Sequence, residues 1–266
     1  MTIASVSCEL VTISNSLAGH WVEVPGRDVP LRSWWADADQ KKHDIESITV
    51  QNRVVIVLPE VFGINRWVRS VAGRIASSGV PALAMPLFAR TAPSLDLGYS
   101  DSDLIEGRRH KDATTTDQIR ADVSASIAWL LIRYPEAVVT VVGFCFGGHA
   151  ALLAATDPNV HSSFNFYGAG VSRMRPGGGS PSLDLLPKVK GQLTCLCGTA
   201  DPLIPADHRS EIQTALRAED PSGSRLAYVE VAGADHGFMC EARSSFDAQA
   251  SQLGWSLLWR DLQTRA

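Results

Sequence analysis

The sequence predicts an α/β protein: a doubly wound, mainly parallel sheet with helices on both faces. Three observations carry this reading. Strand-like and helix-like segments alternate along most of the chain, the pattern that parallel sheets with helical crossovers require. A β-branched run, Val138 to Val142, passes through Gly143-Phe144-Cys145-Phe146-Gly147 straight into the small-residue run Gly148 to Ala155, which reads as strand, sharp turn and helix. No long linker and no internal repeat divides the 266 residues, so one domain over residues 1–266 is expected.

The elements follow in order. His20 to Val24 and Val29 to Trp35 read as an opening hairpin around the turn residues Pro25-Gly26-Arg27-Asp28. Arg53 to Leu58 is apolar enough for a buried strand. Asn65 suits a helix N-cap, and Trp67, Val68, Val71 and Ile75 keep helical spacing until Gly79 stops them. Val80 to Met85 is the next strand. Arg90 to Thr114 is polar and irregular and reads as a loop over one face. Asp117 to Tyr134 carries Ile119, Val123, Ile127 and Leu130 or Leu131 on one stripe and reads as a helix. After the Val138 strand and the Gly147 helix comes a strand from His161 to Tyr167. Arg173 to Lys188 contains Pro176 and Gly177-Gly178-Gly179 and reads as a surface loop. Gln192 to Cys197 is a strand, Ala206 to Arg217 a helix, Arg225 to Val231 a strand, and Phe246 to Leu262 a closing helix.

Composition narrows the function classes. The net charge of −4 and the absence of a dense Lys/Arg cluster argue against a nucleic-acid surface; Arg108-Arg109-His110-Lys111 is the nearest approach. Ala137 to Ala155 carries no Asp, Glu, Lys or Arg and approaches membrane-spanning length, but Thr140, Gly143, Gly147, Gly148 and His149 interrupt it, so no membrane partner is expected. Cys8, Cys145, Cys195, Cys197 and Cys240 are odd in number and irregular in spacing, unlike a disulfide framework, and Cys195 and Cys197 lie too close for the usual zinc knuckle. The N-terminus shows no basic and apolar leader pattern. A cytoplasmic chain, monomeric or weakly self-associating, is expected.

The chemistry centres on Cys145. A strand-to-helix turn this tight needs glycines on either side, because flanking Cβ atoms would strike the strand and helix. It lifts one side chain to the carboxyl edge of the sheet above a helix N-terminus, which favours a thiolate over a thiol. A cysteine nucleophile then needs a base, and the base an orienting group. Asp201, in Gly198-Thr199-Ala200-Asp201-Pro202, and His236, in Gly233-Ala234-Asp235-His236-Gly237-Phe238, both follow strands and fall at that same edge. Asp235 is a rival acid, but sequence neighbours in a loop rarely face one another. The alternative for Asp201 is an Asx turn before Pro202; for His236, a surface loop position. His149 and His161 read as packed or surface residues. The amide after the nucleophile, Phe146, and that of Val61 in Pro59-Glu60-Val61-Phe62-Gly63 would form an oxyanion hole. Glu60 then sits near the thiol, where it disfavours the thiolate or accepts the thiol proton.

Pro59-Glu60-Val61-Phe62-Gly63-Ile64-Asn65, Ala89-Arg90-Thr91-Ala92-Pro93, the Cys145 turn, the Asp201 loop and Gly233 to Phe238 together resemble the dienelactone hydrolase (carboxymethylenebutenolidase) family of the α/β-hydrolase fold, from about Trp21 to Leu262. The resemblance implies hydrolysis of a carboxylate-bearing lactone or ester through a Cys145 acyl-enzyme, with His236 as base and Asp201 as its orienter. It implies that Glu60 holds the thiol proton until substrate displaces it, and that neither metal nor organic cofactor takes part. It also implies arginines for the substrate carboxylate: Arg108 or Arg109 before the Asp117 helix, and Arg243 after the histidine, in a segment where Cys240 replaces an arginine of some members. A general carboxylesterase or thioesterase, or a non-catalytic binding protein of the same fold, is the alternative. A glutamine amidotransferase-like chain is disfavoured because no H-x-E follows Cys145.

Overall fold

The computed structural model describes residues 18–38 and 52–264. Cys8 and His43 lie outside these residues. The chain opens with β1 (His20–Val24) and β2 (Leu31–Ala36), an antiparallel hairpin as expected, with His20 facing Trp35 and Val24 facing Leu31. β3 (Arg53–Leu58) is buried along its whole length, as a strand covered on both faces must be. α1 (Arg66–Ala76) starts where Asn65 accepts the Val68 amide at 3.1 Å, and its stripe of Trp67, Val68, Val71 and Ile75 is buried. β4 (Ala82–Ala84) pairs parallel with β3 and antiparallel with β2.

Two polar stretches differ from expectation. Within Arg90 to Thr114 the chain forms α2 (Asp101–Asp112). A capping box of Ser100 and Asp103 starts it, and Arg109, His110 and Lys111 end it where cations favour the helix dipole. Only Gly107 and His110 are buried, so there is no apolar stripe to read. Within Arg173 to Lys188, residues Ser182–Lys188 form a 3₁₀ turn that buries Ser182, Leu183, Leu185 and Leu186; only the glycine-rich half is a loop.

The remaining elements are α3 (Thr116–Arg133), β5 (Val138–Phe144), α4 (Phe146–Ala154), β6 (Val160–Phe166), β7 (Gln192–Gly198), α5 (Ala206–Glu219), β8 (Leu226–Val231) and α6 (Ala248–Gln263). α6 begins two residues later than its sequence pattern suggests, because Asp247 caps the amides of Gln249 and Ala250. The eight strands form one sheet in the order β1-β2-β4-β3-β5-β6-β7-β8, parallel from β4 onward. α1 and α6 pack into the apolar layer on one face and α3 and α4 into that on the other. Ala137 to Ala155 divides into β5 and α4, and among the described residues no helix is long and apolar enough to cross a membrane.

Candidate active site

The parallel strands deliver their carboxyl ends to one edge, and each delivers a candidate. β3 ends at Glu60 and Val61, β5 at Cys145, β6 at Tyr167, β7 at Asp201 and β8 at His236. Cys145 has φ 55° and ψ −119°, a conformation side-chain-bearing residues seldom adopt and one that costs about 1–3 kcal/mol. The strain is held from both sides. The Cys145 amide donates to the Phe166 carbonyl at 3.1 Å, and the His149 amide donates to the Cys145 carbonyl at 3.1 Å. A Cβ on Gly143 would run into the Gly147 carbonyl, and one on Gly147 into the Leu58 carbonyl. The turn therefore closes only with hydrogen at both positions, and the Cys145 side chain stays partly accessible above α4.

Asp201 and His236 meet as the sequence predicts. His236 Nδ1 lies 2.8 Å from Asp201 Oδ2, and both side chains are buried. Asp201 Oδ1 accepts the Leu203 amide at 2.8 Å, so the Asx turn and the histidine contact coexist on one carboxylate. Among the described residues Asp235 accepts only the His236 backbone amide, at 2.6 Å, and it is exposed; it is not the partner of the ring. The other ring nitrogen, His236 Nε2, is buried with no hydrogen-bond partner among the described residues. Burial pulls the His236 pKa down, but the Cys145 charge and the hydrogen bond to Asp201 outweigh it and raise it to about 10. The thiol thus acts on this ring electrostatically, although no full hydrogen bond joins them.

Glu60 is 1 % exposed and bound elsewhere than the thiol. Its Oε1 accepts from Arg243 Nη1 at 2.8 Å, while Oε2 has no partner among the described residues. Burial raises the Glu60 pKa, against the opposing charges of Arg243 and His236. Arg243 reaches this place because its guanidinium fills the space a Cβ on Gly237 would need. Glu241, between them and α1, accepts from Trp67 Nε1 at 2.6 Å and Arg74 at 2.9 Å and anchors the segment. Tyr99, just before α2, accepts from Asn65 Nδ2 at 3.0 Å and from the Cys240 thiol at 3.2 Å. Glu60 adds to the raised pKa of both groups, after burial, which places them all in one cluster.

Arg108 and Arg109 do not join it. α2 docks through Gly107 and His110, which turns residues 108 and 109 to solvent, and Arg109 pairs with Glu106 at 2.6 Å. His149 is packed as expected: Nδ1 meets the Ala169 carbonyl at 2.9 Å and Nε2 the Ser182 hydroxyl at 2.7 Å, and burial lowers its pKa to about 4. The Val61 and Phe146 amides have no acceptor among the described residues, which leaves both available. Tyr99 and Tyr167 escaped the sequence reading. The signal for Tyr167 was its place at a strand end beside the Cys145 turn.

Comparison with known proteins identifies the family. A family model described as the dienelactone hydrolase family matches residues 45–264. A provisional carboxymethylenebutenolidase of Synechocystis sp. is 35 % identical over 216 residues, covering 80 % of this chain and 87 % of that protein. The carboxymethylenebutenolidase of Pseudomonas putida is 27 % identical, covering 75 % and 80 %. Among solved structures, a provisional dienelactone hydrolase of Klebsiella pneumoniae superposes with TM-score 0.78 at 21 % identity, covering 93 % of this chain and 98 % of that one. The chain belongs to the dienelactone hydrolase family and is a hydrolase of the α/β-hydrolase fold.

Proposed function

We propose that this enzyme hydrolyses a lactone or carboxylic ester, one carrying a carboxylate, through a Cys145 acyl-enzyme with His236 as base and Asp201 as its orienter. The observation that carries the reading is the 2.8 Å contact between Asp201 and His236 Nδ1, which leaves Nε2 without a partner among the described residues, on a ring whose pKa Cys145 raises. The Cys145 sulfur attacks the carbonyl carbon, and the oxygen of the intermediate is met by the Val61 and Phe146 amides. The carbon–oxygen bond breaks, and the leaving oxygen takes the proton held on Nε2. Water then attacks the thioester, gives a proton back to Nε2, and the carbon–sulfur bond breaks. Glu60 is the proton store for the resting thiol: a buried carboxyl with a raised pKa can hold one. Arg243, already paired with Glu60, is the substrate-carboxylate residue supported by its position; the exposed Arg108 and Arg109 have no such support. The free thiols of Cys145, Cys195, Cys197 and Cys240 support a reducing, cytoplasmic setting.

The test is Cys145→Ala, assayed on a carboxylated lactone and on neutral p-nitrophenyl esters. Loss of at least about a thousandfold in kcat on both, with the melting temperature unchanged, is expected. Undiminished turnover would remove Cys145 from the mechanism. Wild-type turnover of neutral esters equal to that of the carboxylated lactone would point to a general esterase.

A further inference from the structure

We propose that the Tyr167 hydroxyl is a substrate-contacting donor, binding an anionic oxygen at the sheet edge that carries Cys145 and His236 and setting the preference for carboxylate-bearing esters and lactones. This rests on the acyl-enzyme reading above and adds a residue to it. Tyr167 is fully buried, yet its hydroxyl has no hydrogen-bond partner among the described residues. Phenylalanine would fill the same space without leaving a buried polar atom unsatisfied, so the oxygen opposes folding where it stands. Its backbone adds a second strain, with φ 41° at a residue bearing a side chain. Both features persist because β6 and its neighbour fix the position: the Tyr167 amide donates to the Leu196 carbonyl at 2.9 Å, and the preceding carbonyl, of Phe166, holds Cys145.

The ring is aimed by its contacts. It stands edge-on to His236, with centroids 5.2 Å apart, and to Phe238 at 5.0 Å. Burial, then the charges of Glu60 and Cys240, push its pKa far above the ordinary value, while Arg243 pulls the other way and Cys145 adds a smaller upward push. The hydroxyl therefore remains a proton donor throughout the working range, on a ring seated against His236 at the sheet edge that carries Cys145. Three buried atoms without partners, Tyr167 Oη, Glu60 Oε2 and His236 Nε2, belong to side chains at the sheet edge where Cys145 emerges. Nε2 is accounted for by the chemistry and Oε2 by proton storage. The hydroxyl is the donor left over, and it binds an anionic oxygen more strongly than a neutral one.

Tyr167→Phe tests this, since it deletes one oxygen and keeps the ring on His236. Mono-p-nitrophenyl glutarate and p-nitrophenyl butyrate provide a carboxylate and a neutral substrate with the same leaving group. The expected result is a fall of about tenfold or more in kcat/KM on the glutarate, mostly in KM, with the butyrate within about twofold and the melting temperature unchanged or higher. Glutarate dianion, as a competitive inhibitor of butyrate hydrolysis, should bind about tenfold more weakly to the variant. Equal losses on both substrates, or no loss on either, would overturn the proposal. If Cys145→Ala keeps its activity the acyl-enzyme reading fails; if it is dead and Tyr167→Phe behaves as wild type, only the assignment of Tyr167 fails.

Discussion

His236 is asked to be two things: a cation beside a sulfur anion, and a base once substrate has reacted. Its raised pKa supports the first role, because the Cys145 charge and Asp201 more than offset burial. The imidazolium then persists across neutral pH, where a cation beside the sulfur favours its anion. The rate at which iodoacetamide alkylates Cys145 reads the pull of this imidazolium on the sulfur. In His236→Ala the rate should be at least about tenfold lower at pH 6.5 and approach wild type above pH 9, where an ordinary thiol ionises unaided. The stability sign follows from linkage. A histidine whose folded pKa is raised from 6.5 to about 10 stabilises the fold fully below pH 6.5, and the contribution fades as pH rises through 10. The gap in melting temperature between wild type and His236→Ala should therefore narrow from pH 6 to pH 10; a gap that widens would place a neutral ring in the native site. The gathering of Cys145, Asp201 and His236 at one sheet edge was legible in the sequence because strand ends and turn glycines fix where a side chain emerges. The pairing of Glu60 with Arg243 was not, because it depends on which of two partly buried partners the carboxylate meets.

Helices with an apolar stripe were read correctly, since α1 and α3 bury the residues their spacing selects. α2 was missed because it docks by a gap rather than a stripe: a Cβ on Gly107 would collide with the Val61 carbonyl. That contact places a helix against the loop that carries Glu60 and the Val61 amide proposed for the oxyanion hole. It also fixes Tyr99, which directly precedes the capping Ser100. Its end signals, Ser100 with Asp103, were present in the sequence, but hydrophobic periodicity was silent. Gly107→Ala should displace the loop at its backbone, where no side chain can yield. The expected outcome is a loss of about 1–3 kcal/mol in denaturant unfolding and at least about a tenfold fall in kcat, because displaced donors lose their alignment with the developing charge. Normal kcat with normal stability would show that the loop follows the helix without cost.

The whole molecule separates chemistry from anchorage by the length of a strand. β5 spans seven residues, roughly 20 Å, from the reactive carboxyl edge to the amino edge. At the far edge Arg53, its side chain 1 % exposed, lies 3.5 Å from Asp261 on α6 and donates to the Thr264 carbonyl at 2.9 Å. Asp261 Oδ2 also accepts from Ser162 on β6 at 2.7 Å and Thr140 on β5 at 3.2 Å, so one carboxylate binds the last helix to three strands. Removing it strands a buried guanidinium, and breaking a buried pair from one side costs about 3 kcal/mol or more. For a chain of this size Asp261→Ala should lower the melting temperature by roughly 6–12 °C. Below the transition kcat/KM should stay within about twofold of wild type, since the rigid strands between the edges carry the site unchanged. A melting temperature within about 1 °C of wild type would mean that water screens the pair. A large loss of activity in the still-folded variant would mean that the seating of α6 reaches through the sheet to Cys145.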